Sequence, residues 1–183
     1  NSGIGAKPDW RRDVTRAPAF WNRRMPGVMA RILAPLGWIY AATTAHRLRR
    51  AGYAARAPGI CVGNINVGGT GKTPTTIALI ERLLARGQRV WVVSRGHGGS
   101  LAGPVQVDIH RHLADQVGDE PLLLAAFAPT VVAKERAAGV RVAEAGGASV
   151  ILLDDGFQNP TVDKSLSIVV VDAETGFGNG CCL

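Results

Sequence analysis

Residues 66–73 read Asn66-Val67-Gly68-Gly69-Thr70-Gly71-Lys72-Thr73 and sit between an apolar run and an amphipathic one. Glycines at 68, 69 and 71 allow successive backbone N–H groups to converge on an anion with no Cβ in the way. A helix beginning at Lys72 adds the positive end of its dipole. Lys72 is then placed to reach the β- and γ-phosphates of a nucleoside triphosphate, and Thr73 to hold Mg²⁺ through its hydroxyl. Asn66 stands where the strict GxxxxGK[ST] pattern has its first glycine, so the loop is a variant of that pattern. A chance glycine turn is the competing reading; the strand before and the helix after argue against it.

Phosphoryl transfer also needs carboxylates, and two pairs stand out. Asp154 and Asp155 close the apolar run Ser149–Asp154. From there an acid projects toward a phosphate loop at the carboxyl edge of a parallel sheet and can hold the metal. The same Asp-Asp-Gly triplet is also ordinary turn chemistry. Asp119 and Glu120 lie in Gly118-Asp119-Glu120-Pro121, which reads as a helix start with Asp119 as the N-cap. A carboxylate at that point can equally accept the proton of an attacking hydroxyl. In Ser94-Arg95-Gly96-His97-Gly98-Gly99, Arg95 either meets an anionic group or closes a loop as a surface arginine. His97 alone indicates little.

These residues need elements to position them. From Gly59 onward short apolar runs alternate with longer helical segments, the pattern of an α/β fold whose parallel sheet is flanked by helices, of the P-loop NTPase type. Four strands are expected, at Gly59–Ile65, Arg89–Ser94, Ser149–Asp154 and Ser167–Asp172, with weaker candidates at Val105–Ile109 and Thr130–Ala133. Helices are expected over Lys72–Arg86, Asp119–Ala128 and Glu135–Ala145. A chain of 183 residues with 46% hydrophobic content can build one such core. The boundary drawn by composition falls at Arg56-Ala57-Pro58, giving an N-terminal segment 1–57 and a nucleotide-binding domain 58–183.

The net charge of +7 belongs to the first segment: residues 1–56 hold eleven Lys/Arg against two Asp/Glu, and the remainder is close to neutral. The apolar stretch Ile32–Ala45 contains Pro35 and is too short to span a bilayer. Flanking arginines, with Trp21, Trp38 and Tyr40, give it the composition of an amphipathic helix lying in a membrane surface. Packing on the domain is the bland alternative. Arginines interleaved with a continuous apolar run suit lipid better than a phosphate backbone, so nucleic acid is not expected as a partner. Cys61, Cys181 and Cys182 have neither zinc nor disulfide spacing, which favours a reducing, cytosolic compartment.

Five segments, GNINVGGTGKTP (63–74), VSRGHGG (93–99), VGDEPLLLA (117–125), DDGFQNP (154–160) and GFGNG (176–180), occur in an order that resembles the tetraacyldisaccharide 4′-kinase family. The FW and LAPLGWIY segments resemble that family's membrane-associated helix. The resemblance implies transfer of the γ-phosphate of ATP, with Mg²⁺, to the 4′-hydroxyl of a tetraacyl glucosamine disaccharide 1-phosphate in lipid A biosynthesis. The place implied is the cytoplasmic face of the bacterial inner membrane, with peripheral attachment. It implies further that Asn66, Val67, Gly68, Gly69, Thr70, Gly71, Lys72 and Thr73 form the ATP loop, with Gln158 close by. Asp119 and Glu120 would be catalytic, Asp119 as the general base, and Thr73, Asp154 and Asp155 would hold the metal.

Two departures accompany the resemblance. Asn159 replaces the family's usual histidine and cannot assist proton transfer. The family also continues into a PAGPLRE-like segment and a second lobe, so the chain is expected to be truncated at its C-terminal side. A membrane-associated switch ATPase is the first alternative, although such proteins carry lysine where Val67 stands. An inactive nucleotide-binding fragment is the second.

Overall fold

The structure, a computed structural model, describes residues 28–48, 51–64, 71–157 and 159–173. Its sheet comprises β1 (Gly59–Asn64), β2 (Val90–Ser94), β3 (Val105–Gln106), β4 (Thr130–Val132), β5 (Val150–Asp154) and β6 (Leu166–Val170), in the spatial order β3-β4-β2-β5-β1-β6. Every neighbouring pair is parallel except β3 with β4. The helices are α1 (Val28–Leu48), α2 (Lys72–Leu84), α3 (Ala114–Val117), α4 (Asp119–Leu124) and α5 (Arg136–Ala145).

The central strands are apolar without alternation because both of their faces are covered. In β5 all five residues are buried. Ile151 and Leu153 pack with Cys61, Val93 and the Ala137, Val140 and Ala143 face of α5. Val150 and Leu152 turn the other way, onto Ile80 of α2 and Leu124 of α4. Helix α5 lies close on its face: a Cβ on Gly139 would come within 2.8 Å of Val93 Cγ1.

All four expected strands and both weaker candidates form, with the α/β sheet flanked by helices on both sides. Differences lie at the ends. Helix α2 stops at Leu84, short of Arg86, because Gly87 turns the chain at φ 73° and Leu84 is exposed. Helix α4 stops at Leu124, short of Ala128, where the Ala126 and Phe127 amides shift to carbonyls three residues back. Its start also differs: Gly118, not Asp119, is the N-cap, at φ 93°. A Cβ there would meet the His97 carbonyl oxygen at 2.6 Å. Glu135 caps α5 rather than opening it, its carboxylate accepting from the Ala137 and Ala138 amides at 3.0 and 2.8 Å. Such a cap is worth about 1 kcal/mol. The candidate Val105–Ile109 contracts to two residues and runs antiparallel at the sheet edge. Helix α3 had no periodic signal in the sequence, being only four residues long.

The N-terminal stretch forms a longer helix than Ile32–Ala45, running over Val28–Leu48 with Pro35 inside it. Leu36, Trp38, Ile39 and Tyr40 are all exposed. At about 100° per residue these positions point to different sides, so α1 offers apolar surface around much of its girth. No helix among the described residues is long and apolar enough to cross a membrane. Residues 51–57 are fastened to the body: Tyr53 Oη donates to Glu144 Oε2 at 2.7 Å, and the Arg56 amide to Glu144 Oε1 at 2.6 Å.

The burial contrast between β5 and β6 can be tested. Leu152 is fully buried at 0% exposure, whereas Leu166 on the edge strand is 53% exposed. Leu152→Ala is expected to cost about 2–5 kcal/mol, and Leu166→Ala less than about 1 kcal/mol. Urea unfolding midpoints of the two variants measure the difference.

Candidate functional site

The parallel strands bring their carboxyl ends to one edge, and the chemistry-bearing residues collect there. Val62 of β1 is paired with Asp154 of β5, so the loop leaving β1 and the turn leaving β5 emerge side by side. Residues 65–70, which include Asn66, Val67, Gly68, Gly69 and Thr70, lie outside the described residues, as does Gln158. Gly71 precedes α2 in the left-handed region at φ 79°. Its carbonyl accepts from the Thr75 amide at 3.1 Å and the Thr75 hydroxyl at 2.9 Å. The first turn of α2 is thereby secured, with Lys72 and Thr73 at its head.

Both residues meet acids. Lys72 Nζ is 3.3 Å from Asp155 Oδ2. Thr73 Oγ1 donates to Glu120 Oε1 at 2.8 Å, joining α2 to α4 across 47 residues of sequence. The Ser94 hydroxyl, at the end of β2, donates to Asp154 Oδ2 at 2.9 Å. Asp154 is only 5% exposed. Burial raises its carboxyl above the usual carboxylate range, and the charges of Glu120 and Asp155 add to the rise, while the Ser94 hydrogen bond and Lys72 oppose it. Like charges and scarce water together make this a site that favours a cation.

Of the two adjacent acids, Glu120 turns inward to Thr73 and Asp119 is exposed at the first position of α4. The Gly96–Gly99 loop packs on this helix start. A Cβ on Gly99 would meet the Gln116 carbonyl oxygen at 2.6 Å, and one on Gly96 would meet Val132 Cγ1 at 2.5 Å. Arg95 and His97 are exposed at this edge. Asn159 is occupied locally: its Oδ1 accepts from the Thr161 amide at 2.8 Å and the Thr161 hydroxyl at 2.6 Å.

The donors suit Mg²⁺. They are all oxygens, from Thr73, Glu120, Asp154 and Asp155, and Mg²⁺ commonly takes one or two protein ligands beside phosphate oxygens and water. Among the described residues no three His, Cys, Asp or Glu gather closely enough to hold a metal by themselves, so Glu120, Asp154 and Asp155 are not one ligand set.

Two participants escaped the sequence reading. Ser94 was part of a motif valued for its arginine, although it is the hydroxyl that reaches Asp154. Arg136, 3% exposed, donates through Nη2 to the Asp155 carbonyl at 2.5 Å. Its signal was a cation in the first turn of a helix, where the dipole disfavours it.

The raised Asp154 pKa has a stability consequence. A carboxyl with a folded pKa above its unfolded value of 3.8 supports stability fully below that value. The support is lost as pH rises through the folded value. Asp154→Asn keeps an acceptor for Ser94 and removes the charge. It is expected to raise the melting temperature at neutral pH, with the gain shrinking toward about pH 4. Thermal unfolding across that range checks it; a gain independent of pH would exclude charge as its source.

Comparison with known proteins identifies relatives of the chain. The profile of the family described as tetraacyldisaccharide-1-P 4′-kinase matches residues 29–183. A tetraacyldisaccharide 4′-kinase of Dinoroseobacter shibae is 64% identical over 170 residues, covering 90% of this chain and 50% of that protein. The one from Jannaschia sp. is 59% identical over 167 residues, with the same coverage of 90% and 50%. A crystal structure of LpxK from Aquifex aeolicus, in complex with ATP, superposes with a TM-score of 0.66 at 28% identity, covering 78% of this chain and 49% of that one. The chain spans about half the length of the curated relatives it matches. With a profile match over residues 29–183, and with Lys72 and Thr73 set against Asp155 and Glu120 at one sheet edge, the chain belongs to the tetraacyldisaccharide-1-P 4′-kinase family.

Proposed function

We propose that this chain supplies the nucleotide-binding half of an enzyme that phosphorylates the 4′-hydroxyl of a tetraacyl glucosamine disaccharide 1-phosphate with ATP, a step of lipid A biosynthesis. The observation that carries the proposal is the joining of Thr73 to Glu120 and of Lys72 to Asp155 at the carboxyl edge, in a member of this family. In this reading the loop of residues 66–73, with the Lys72 ammonium, serves the β- and γ-phosphates, and Gln158 is assigned to nucleotide binding. Thr73, Asp154 and Asp155 would hold Mg²⁺, with Glu120 beside them through its hydrogen bond to Thr73. When bound, the metal neutralises charge on the phosphate oxygens. The exposed Asp119 accepts the proton of the acceptor hydroxyl as its oxygen attacks the γ-phosphorus, and ADP leaves.

Segment 1–57 is the membrane-facing part and segment 58–183 the nucleotide-binding part. An acylated acceptor resides in a bilayer, so the enzyme must work at its surface, and the family's implied place is the cytoplasmic face of the inner membrane. Exposed Trp38, Ile39 and Tyr40 on α1 support interfacial binding. The switch ATPase alternative has no lysine at Val67 to support it.

Two outcomes test these assignments. Asp119→Asn is expected to lower transfer of labelled γ-phosphate to the lipid disaccharide by about 100-fold or more, with ATP affinity retained. The matching substitution in the whole-length Dinoroseobacter relative provides the parallel assay, and full transfer there would remove Asp119 as the base. Replacing Trp38 and Ile39 together by Asp is expected to weaken binding to anionic vesicles by about tenfold or more. Cosedimentation measures that loss, and unchanged binding would remove α1 as the contact.

A further inference from the structure

Arg136 is an expensive residue in its position. It opens α5, where a cation opposes the helix dipole, and it is 3% exposed. Burial lowers its pKa, opposed by the nearby Asp154, Cys61 and Asp155. Among the described residues, Nε and Nη1 are buried without a hydrogen-bond partner. One strong contact remains, from Nη2 to the Asp155 carbonyl at 2.5 Å.

That carbonyl belongs to an unusual residue. Asp155 has φ 51°, the one non-glycine positive φ among the described residues. Such a conformation persists in a non-glycine residue only where its surroundings hold it. The Asp155 amide donates to the Val62 carbonyl of β1 at 2.9 Å, and Arg136 takes its carbonyl, so the residue is gripped at both ends. Its side chain is left to face Lys72 at 3.3 Å. Gly156 makes room for the grip: a Cβ there would stand 2.9 Å from Arg136 Nη1 and 3.2 Å from Cys61 Sγ.

We infer that Arg136 is a positioning residue that acts through the Asp155 main chain to hold the Asp155 carboxylate against Lys72, the lysine of the phosphate loop. The main-chain geometry stands by itself; the consequence for nucleotide binding rests on the phosphoryl-transfer reading.

The test uses the full chain, which has four lysines, Lys7, Lys72, Lys134 and Lys164. With ¹³Cε-lysine incorporated during growth, the Lys72 resonance is identified by Lys72→Arg. Asp155→Asn is expected to displace that resonance, and Arg136→Gln to displace it in the same sense. The double variant should add little, as for two residues acting in one chain of contacts. Arg136→Lys should restore part of the original position. Affinity for Mg²⁺ and a fluorescent ATP analogue should fall by about 10-fold in Arg136→Gln. If Arg136→Gln does not fold, Gly156→Ala serves instead, since it displaces the guanidinium while keeping its charge, and it should move Lys72 likewise. Additive displacements, or a Lys72 resonance unmoved by the Arg136 and Gly156 variants, would overturn the inference. Coupled displacements in a chain that binds no nucleotide would uphold it and sink the phosphoryl-transfer reading.

Discussion

The parallel pairing of β1 with β5 is the constraint on which the site depends. With Val62 opposite Asp154, the chain leaves both strands at the same height and on the same edge. Lys72, at the head of α2, and Asp155, in the turn after β5, meet at that edge at 3.3 Å. Pairing of β5 with β2 brings Ser94 to the same edge, and its hydroxyl reaches Asp154. Backbone ladders therefore place three of the functional segments before any side chain is chosen. The fourth, the start of α4, lies outside the ladders, and its place is set by glycines packed without Cβ clearance against Gln116, Val132 and His97.

Crowding acids at one edge is costly, and the structure spreads that cost over distinct partners. Asp154 is buried against a hydroxyl, Asp155 faces an ammonium, and Glu120 accepts from a threonine. Burial and the charges of Glu120 and Asp155 push the Asp154 carboxyl up, against the Ser94 hydrogen bond and Lys72. A site tuned for stability would have replaced Asp154 by an apolar residue, since the strand around it is buried throughout. Its retention fits a group whose charge is wanted when a cation and phosphates are present.

What could be read from the sequence was local. Lys72 and Thr73 follow a glycine loop between strand and helix, and Asp154 ends an apolar run, so strand, turn and helix periodicities suffice to place them. Asp119 and Glu120 were legible as a pair but not in their division of labour: Glu120 turns inward to Thr73 and Asp119 is exposed, on a helix whose cap is Gly118 at φ 93°. The His97 carbonyl, some twenty residues away in sequence, approaches so closely that a Cβ at Gly118 would stand 2.6 Å from it. Arg136 was illegible for the same kind of reason. Its partner is a main-chain oxygen in the turn after β5, which leaves no trace in residue types. The antiparallel turn of β3 likewise depends on pairing with β4, which two residues cannot announce.

Asn159 looked like a loss when compared with the family's histidine, and its setting explains what the position requires here. Its side chain closes the turn onto Thr161, and its carbonyl accepts from Lys164 Nζ at 2.8 Å. Lys164 also holds the Phe157 carbonyl at 3.2 Å, and Arg136 holds that of Asp155. Three alternate carbonyls, at 155, 157 and 159, are thus tied to buried or half-buried cations. The ring of Phe157 closes over Gly63, where a Cβ would lie 2.6 Å from it. The loop after β5 is held through its main chain, so one side chain within it can change while the carboxylates at its start stay where β5 delivers them. Stiffness here resides in Arg136, Lys164, Gly63 and Gly156, and of these only Gly156 belongs to the motif centred on Asp154 and Asp155.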